Sequence, residues 1–322
     1  MSDLIRGALN DTARPSSSRR SGCTGCIGYP LLALLAGLGL IVAAGVLLAW
    51  NEMRSAGASG ALTEAAANVR AIQADRIDSA NDGQLVHLEG MATTSETVHD
   101  PDLGVSAPAI ALRRTAEMYQ WQEHSSLNKV NGRWITTYSY EKVWSELLLD
   151  SRGFHNTSYN NPDSMPYATE TWTAQTVTLG AYQVSASLVK QMGNFQPLLV
   201  EQVPGGIDRK IQLWEGGVYV GNNPASPEIG DLRLHYDRVT PTTVSVISRA
   251  AGRTFEPYHA KAGGTIDMLV VGEHSASEML AAAQGENAGV TWFLRGLGAL
   301  MLLLGGAAVI IAVGWIFFMF FW

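Results

Sequence analysis

Arg113 and Arg114 are the adjacent pair in this chain whose chemistry suits recognition. A planar guanidinium binds a carboxylate or a phosphate through paired donors. Neighbours on an extended strand point to opposite faces. One arginine can therefore turn inward onto a buried carboxylate such as Asp231, while the other meets a lipid headgroup or an acidic ligand, and both stand as candidate ligand-binding residues. Tyr119 and Trp121 share one face of the same stretch. They serve either as core packing or as anchors of an interaction surface.

Other reactive fragments are incomplete. Cys23 and Cys26 are the only cysteines. A C-x-x-C pair is half of a zinc site, and tetrahedral zinc needs four ligands, so metal would bind here only if the site were shared between chains. The alternatives are reduced thiols or S-acylation beside a membrane. Ser187-x-x-Lys190, with Ser158-Tyr159-Asn160 and Lys261-Ala262-Gly263, matches pieces of the penicillin-binding nucleophile motifs, but in the wrong order. There is no H-E-x-x-H, nucleophile elbow or phosphate-binding loop. His87 sits in an apolar run and reads as a satisfied core residue. The chain is not expected to be an enzyme, and no cofactor is expected.

The elements that must position these residues are framed by two uncharged apolar runs, Ile27 to Trp50 and Gly296 to Trp322. Each exceeds the roughly 20 residues that a helix needs to cross a bilayer core. The expectation is an integral membrane protein in which two transmembrane helices flank a β-rich (α+β) exported soluble domain with helical stalks. Its segments are a cytoplasmic arm (1–26), a membrane helix (27–50), a stalk (51–75), the β-rich domain (76–274), a second stalk (275–295) and a second membrane helix (296–322). Arg6, Arg14, Arg19 and Arg20 precede the first run, whereas only Arg54, beside Glu52, follows it, which keeps the amino terminus cytoplasmic. Ala56-Gly57-Ala58 resembles a signal-peptidase site, but the arm and the run are both longer than a signal peptide's. Neither run carries a charged residue, which argues against a lined pore. Small residues instead recur at Gly37 and Ala44 and at Gly298, Gly305 and Ala312, a pattern that lets helices pack closely within or between chains. Net charge is −7 with a basic leading arm, so the exported part is acidic and nucleic acid is not an expected partner.

Between the runs the pattern is mostly β. Asn131-Gly132 favours a type I′ turn joining Ile110–Gln122 to Trp134–Leu148. Further strands are expected at Thr176–Val184, Ile211–Trp214, Val218–Val220, Leu232–Val239, Thr243–Arg249 and Thr265–Val271. Turns fall at Pro204-Gly205-Gly206, Glu215-Gly216-Gly217 and Asn223-Pro224. A short helix is expected at Ser187–Phe195. Ser275-x-x-Glu278 has the form of a capping box opening the second stalk.

The stretch LRRTAEMYQWQE, Leu112 to Glu123, resembles the signature of the LUMA family. Other pieces follow in order: Asn51-Glu52 with Arg54, Gly83 with Leu85-Val86-His87 and Gly90, Asp100-Pro101 with Gly104-Val105, and Tyr138-Ser139-Tyr140 with Trp144-Ser145. Then come Asn161-Pro162, Gly230-Asp231-Leu232-Arg233, Val246-Ile247 with Arg249, and Thr291-Trp292 with Leu294-Arg295. The resemblance implies a membrane-anchored scaffold that self-associates and binds partner proteins; in animals the relative is linked to lamins and emerin and to ion conduction. It implies no catalytic residues. Animal members carry further spans after the second, whereas this sequence stops at Trp322, so functions of those spans are not carried over. The expected partners are the lipid bilayer, further copies of the chain and other proteins. An excess of Arg over Lys points to a bacterial inner membrane with a periplasmic domain, a bacterial-type member of the family. In a eukaryote the domain would face the lumen of the endoplasmic reticulum or nuclear envelope.

Overall fold

A computed structural model describes residues 24–130, 133–202 and 210–321, with side chains from 29 to 318 among these. The first helix, α1, runs Thr24–Asn68 and the last, α3, runs Ala276–Phe321. The chain divides into a helical unit, residues up to Ser55 with those from Ala288, and a second unit, Ala56–Asn287.

In the helical unit the membrane-length parts of α1 and α3 pack through their small residues. A methyl group added at Gly37 would lie 2.8 Å from the Gly305 carbonyl oxygen, and one at Gly298 would lie 2.6 Å from the Leu48 side chain. Ala44 and Ala312 are fully buried. Without a hydrophobic force between helices in lipid, such backbone approach is what lets dispersion contacts accumulate. Within the chain, these small residues line the contact between α1 and α3. A polar lock follows at the head of this pair. Asn51 Nδ2 donates to the Thr291 carbonyl at 3.2 Å, Arg54 donates to the Thr291 hydroxyl at 3.1 Å, and Arg295 meets both Glu52 oxygens at 2.7 Å. Trp315 and Phe318 are exposed, and the side chains of Phe320 to Trp322 lie outside the described residues.

Within the second unit α1 ends at Asn68, earlier than the expected stalk boundary of residue 75. The chain turns extended there because β1 (Arg70–Ala71) pairs in parallel with β2 (Leu85–Thr93). A small ribbon follows, β3 (Thr97–His99) with β4 (Ser106–Pro108). The long strands β5 (Ala111–Val130) and β6 (Arg133–Ser145) form the expected hairpin, extended further toward its turn; Asn131-Gly132 itself lies outside the described residues. Then come β7 (Glu170–Thr173), β8 (Thr178–Leu179) and β9 (Tyr182–Gln183). The expected single strand Thr176–Val184 is in fact a tight hairpin, folded back at Gly180. There φ is +60°, and a Cβ would sit 2.1 Å from the Ala74 oxygen. The helix α2 is only Ala186–Val189, shorter than expected, and β10 (Gln196–Leu198) follows.

The remaining strands are β11 (Ile211–Trp214), β12 (Gly217–Val220), β13 (Leu232–Val239), β14 (Thr242–Ala251), β15 (Thr254–Glu256), β16 (Tyr258–His259), β17 (Thr265–Ile266) and β18 (Met268–Val271). Expected strand Thr265–Val271 is thus split at Asp267, whose side chain accepts from Ser187 and Ser248. Glu215 and Gly216 both take positive φ (47° and 76°), the mirror-image turn that matches strand twist, so the type I′ geometry is seen between β11 and β12. Pro204-Gly205-Gly206 lies outside the described residues.

Two sheets result. One has the order β15-β14-β2-β8-β9 with β1 and β18 attached; the other has the order β11-β12-β13-β5-β6 with β10 and β7 attached. Their facing side chains, among them Leu88, Val246, Leu112, Met118 and Leu234, form one core. The other face of the first sheet is covered too: Leu85 and Ile247 pack with Ala61, Leu62 and Ala65 of α1 and Met279 and Leu280 of α3. The capping box starts α3 as expected, with the Ser275 N–H donating to the Glu278 carboxylate at 2.9 Å.

Gly305→Leu is expected to separate the helical pair. The measurement is the disulfide yield between Leu48→Cys and Gly298→Cys in a Cys23→Ser/Cys26→Ser background; it should fall severalfold when Gly305→Leu is added. An unchanged yield would show that the close approach is dispensable.

Candidate functional site

Strand β5 alternates between two environments. Leu112, Arg114, Ala116 and Met118 point into the core, while Arg113, Glu117, Tyr119 and Trp121 point to the outer face of the second sheet and are partly exposed.

Arg114 is the charged group on the wrong face, and the fold surrounds it. Its side chain is 1% exposed; Nη1 donates to Asp100 at 2.6 Å, Nη2 to Asp102 at 3.0 Å and Nε to the Ala168 carbonyl at 3.0 Å. Asp100, itself fully buried, also accepts the Tyr236 hydroxyl at 2.7 Å. Trp172 lies under the guanidinium, 5.1 Å from its carbon. The partner of the inward arginine is thus Asp100 and not Asp231, because Asp100 comes from the loop that closes over the core. Asp231 instead accepts the Tyr219 hydroxyl at 2.6 Å and the Glu228 N–H at 2.8 Å. Each guanidinium nitrogen is engaged inside the protein and the side chain is almost fully buried, so Arg114 faces its internal partners in place of the expected ligand. Arg113 is the outward one. It pairs with Asp237 at 2.9 Å and covers the Phe195 ring at 4.1 Å.

Tyr119 and Trp121 are not core residues: they belong to an aromatic and cationic layer on the outer face. Cross-strand register sets Trp144 opposite Tyr119 and Lys142 opposite Trp121. The Tyr119 and Trp144 rings stand 5.0 Å apart, Arg233 lies 4.7 Å over Trp144, and Lys142 lies 5.1 Å over Trp121. Trp121 meets Tyr159 edge-on at 4.7 Å, and Tyr159 stacks on Tyr140 at 4.0 Å. Pairs of this kind contribute about 0.5–1.5 kcal/mol beyond buried area. The segment that follows β6 fastens the layer. The Asn161 side chain both accepts from the Trp121 N–H (2.7 Å) and donates to its carbonyl (2.8 Å), imitating a paired strand. Gln120 is held by Leu147 and Leu149, and Glu123 accepts the Tyr140 hydroxyl at 2.6 Å.

The reactive fragments stay apart. Ser187 donates to Asp267, and the Lys261 N–H donates to Glu64. His87 Nε2 lies 2.8 Å from the His274 carbonyl oxygen, as suits a satisfied residue, beside an open groove of about 830 Å³ lined by Leu62, Ala66 and Leu280. Among the described residues no group of three or more His, Cys, Asp or Glu is placed to hold a metal. Cys23 lies outside the described residues, and only the backbone of Cys26 is within them. Sequence reasoning missed Asp100 as the arginine partner, and Lys142, Tyr159 and Asn161 as members of the outer layer. The alternation of aromatic and charged residues in β6 was the available signal, but it needed the hairpin register to become readable.

Arg114→Met should destabilise the protein by about 3–5 kcal/mol, since it leaves Asp100 as an uncompensated buried charge. Arg113→Ala should cost about 1 kcal/mol or less, its ion pair being partly exposed. Thermal unfolding in nanodiscs separates the two. Burial, reinforced by hydrogen bonds to Asp231 and Asp100, pushes the Tyr219 and Tyr236 hydroxyls well above the ordinary value of about 10. For a raised pKa the stability is fully present below the unfolded value and is lost as pH rises toward the folded one. Stability should therefore decline above about pH 10. In a tyrosinate absorbance titration, these two tyrosines should ionise only as the fold is lost, and Tyr236→Phe should flatten the decline.

The family model described as Transmembrane protein 43 matches residues 118–321. Transmembrane protein 43 of Rattus norvegicus is 32% identical over 275 residues, covering 79% of this chain and 68% of that protein. The Mus musculus protein is 33% identical with the same coverage. The Drosophila melanogaster homolog is 29% identical over 282 residues, covering 84% of this chain and 74% of that protein. No solved structure matches the chain. The match takes in Trp121, Tyr140, Trp144 and Asn161 of the outer layer and Thr291 and Arg295 of the helix lock. With its paired membrane-length helices and β-rich domain, the chain belongs to the Transmembrane protein 43, or LUMA, family of membrane proteins.

Proposed function

We propose that this chain is a membrane-anchored scaffold whose β-rich domain mediates self-association and partner binding. The observation that carries this reading is the outer layer of Tyr119, Trp121, Trp144 and Lys142. It is a partly exposed face rich in aromatic rings and long cations, braced from behind by a complete core. Aromatic side chains with few rotors lose little entropy on contact, which suits an interface built before its partner arrives. Ion conduction has less support, because the two spans carry no charged side chains. A lipid or ligand sensor working through the arginines retains only Arg113.

Positive-inside charge bias supports a cytoplasmic amino terminus and a domain on the exported or lumenal side. The relatives named above are animal proteins, which favours the lumen of the endoplasmic reticulum or nuclear envelope over a bacterial periplasm. The bacterial reading rests on composition alone.

Mass photometry of the full chain in nanodiscs or detergent should show dimers or larger particles, and Trp121→Ser with Trp144→Ser should reduce them severalfold while the fold persists by circular dichroism. Particles containing a single chain at every concentration, together with no cross-linked protein partner in native membranes, would sink the scaffold reading. Reporter fusions after Asn81 and Gly289 should both report the exported side; a cytoplasmic signal from either would invert the topology.

A further inference from the structure

The β5–β6 hairpin continues beyond the braced layer as a bare arm. Past Glu123 and Tyr140, residues 124–130 and 133–139 are all exposed, on both faces of the ribbon. Seven strand residues extend about 23 Å. An isolated two-stranded ribbon is marginal in water, yet this one exposes 61% of Leu127, 65% of Trp134, 47% of Val130 and 44% of Ile135. Its base is not loose: Asn161, Gln120 and Glu123 clamp it, and Tyr138 stacks on His155 at 4.2 Å. A rigidly mounted arm with an apolar tip is built to meet something.

Its charge says what. From Ser126 to Thr137 the chain carries Lys129 and Arg133 and no acidic residue, in a protein of net charge −7. Lys129 lies 5.8 Å over the Trp134 ring, so cation and indole present together. The small polar side chains are already spent on each other, Ser126 with Thr137 at 2.7 Å and Asn128 with Ser126 at 3.2 Å, which leaves charge and apolar area as what the tip offers. Tryptophan with lysine and arginine is the composition that favours the headgroup zone of a bilayer, where rings are half wet and cations meet anionic lipid. The chain's own spans keep a bilayer permanently at hand. We propose that the arm tip, through Lys129, Arg133 and Trp134, docks on an anionic lipid surface. This inference is independent of the self-association reading.

The test uses the full chain in nanodiscs, with Cys23→Ser, Cys26→Ser and an environment-sensitive fluorophore on Thr136→Cys. One arm compares discs of phosphatidylcholine with discs that also contain phosphatidylglycerol, reporting contact with the chain's own bilayer. The other adds phosphatidylglycerol-containing vesicles to neutral discs, reporting contact with an apposed membrane. In at least one arm the emission should shift to the blue and be quenched by spin-labelled lipid, only when anionic lipid is present. Trp134→Ser should weaken the shift. Replacing Lys129 and Arg133 by Gln should lower the lipid affinity roughly 30-fold, at about one kcal/mol per basic residue. Because all three side chains are exposed, the variants should keep the wild-type circular dichroism. Water-like emission in both arms, an equal shift with neutral lipid, or a shift that follows protein concentration at fixed lipid composition would each overturn the proposal, the last by assigning the tip to a second copy. Single-chain particles that still show the anionic shift would remove self-association and leave this inference standing.

Discussion

The backbone ladder of β5 is the constraint on which the β-rich domain depends. Its first eight residues pair with β13, its beginning also pairs with β7, and from Met118 onward it pairs with β6. Because side chains on a strand alternate without exception, one continuous ladder sorts every residue from Ala111 to Val130 at once. A slip of one residue would exchange Leu112, Ala116 and Met118 with Arg113, Glu117 and Tyr119. The core and the outer aromatic layer are therefore two consequences of one register.

Arg114 makes that register hard to change. A guanidinium on the core face is tolerable only with its donors satisfied. Asp100 and Tyr236 complete a buried network that draws in the loop after β3 and the neighbouring strand β13. A shifted register would leave these groups unpaired, so the network opposes alternatives even where its net contribution to stability is small. The outer layer has a looser specification. Rings and cations there make many individually weak contacts, and Asn161 finishes the edge of β5 where the sheet would otherwise end with open backbone groups.

The helical unit follows a different rule. In lipid the hydrophobic effect does not press α1 against α3, so backbone proximity at Gly37 and Gly305 and the polar lock of Asn51, Glu52, Thr291 and Arg295 hold the pair. Small and polar residues thus have the part that leucine and valine have in the β-rich core.

Much of this architecture was readable from composition and period. Two uncharged runs of membrane length, the hairpin around Asn131-Gly132, strands such as Ile211–Trp214 and Leu232–Val239, and the Ser275–Glu278 cap follow from local rules, because length, alternation and turn chemistry are properties of neighbouring residues. Strand breaks were not readable. Gly180 and Asp267 interrupt apolar runs for reasons supplied by Ala74 and by Ser187 and Ser248, which are distant in sequence. The arginine partners were equally out of reach: adjacency showed that Arg113 and Arg114 must face opposite ways, but which turns inward, and onto Asp100 in place of Asp231, depends on the sheet against which β5 packs. Sequence by itself determined that this chain is anchored at two runs and β-rich between them. Only the tertiary structure decided that Tyr119 and Trp121 face outward and that the hairpin outreaches its sheet, because burial depends on which surfaces meet, and a strand's own alternation is the same whichever face becomes the core.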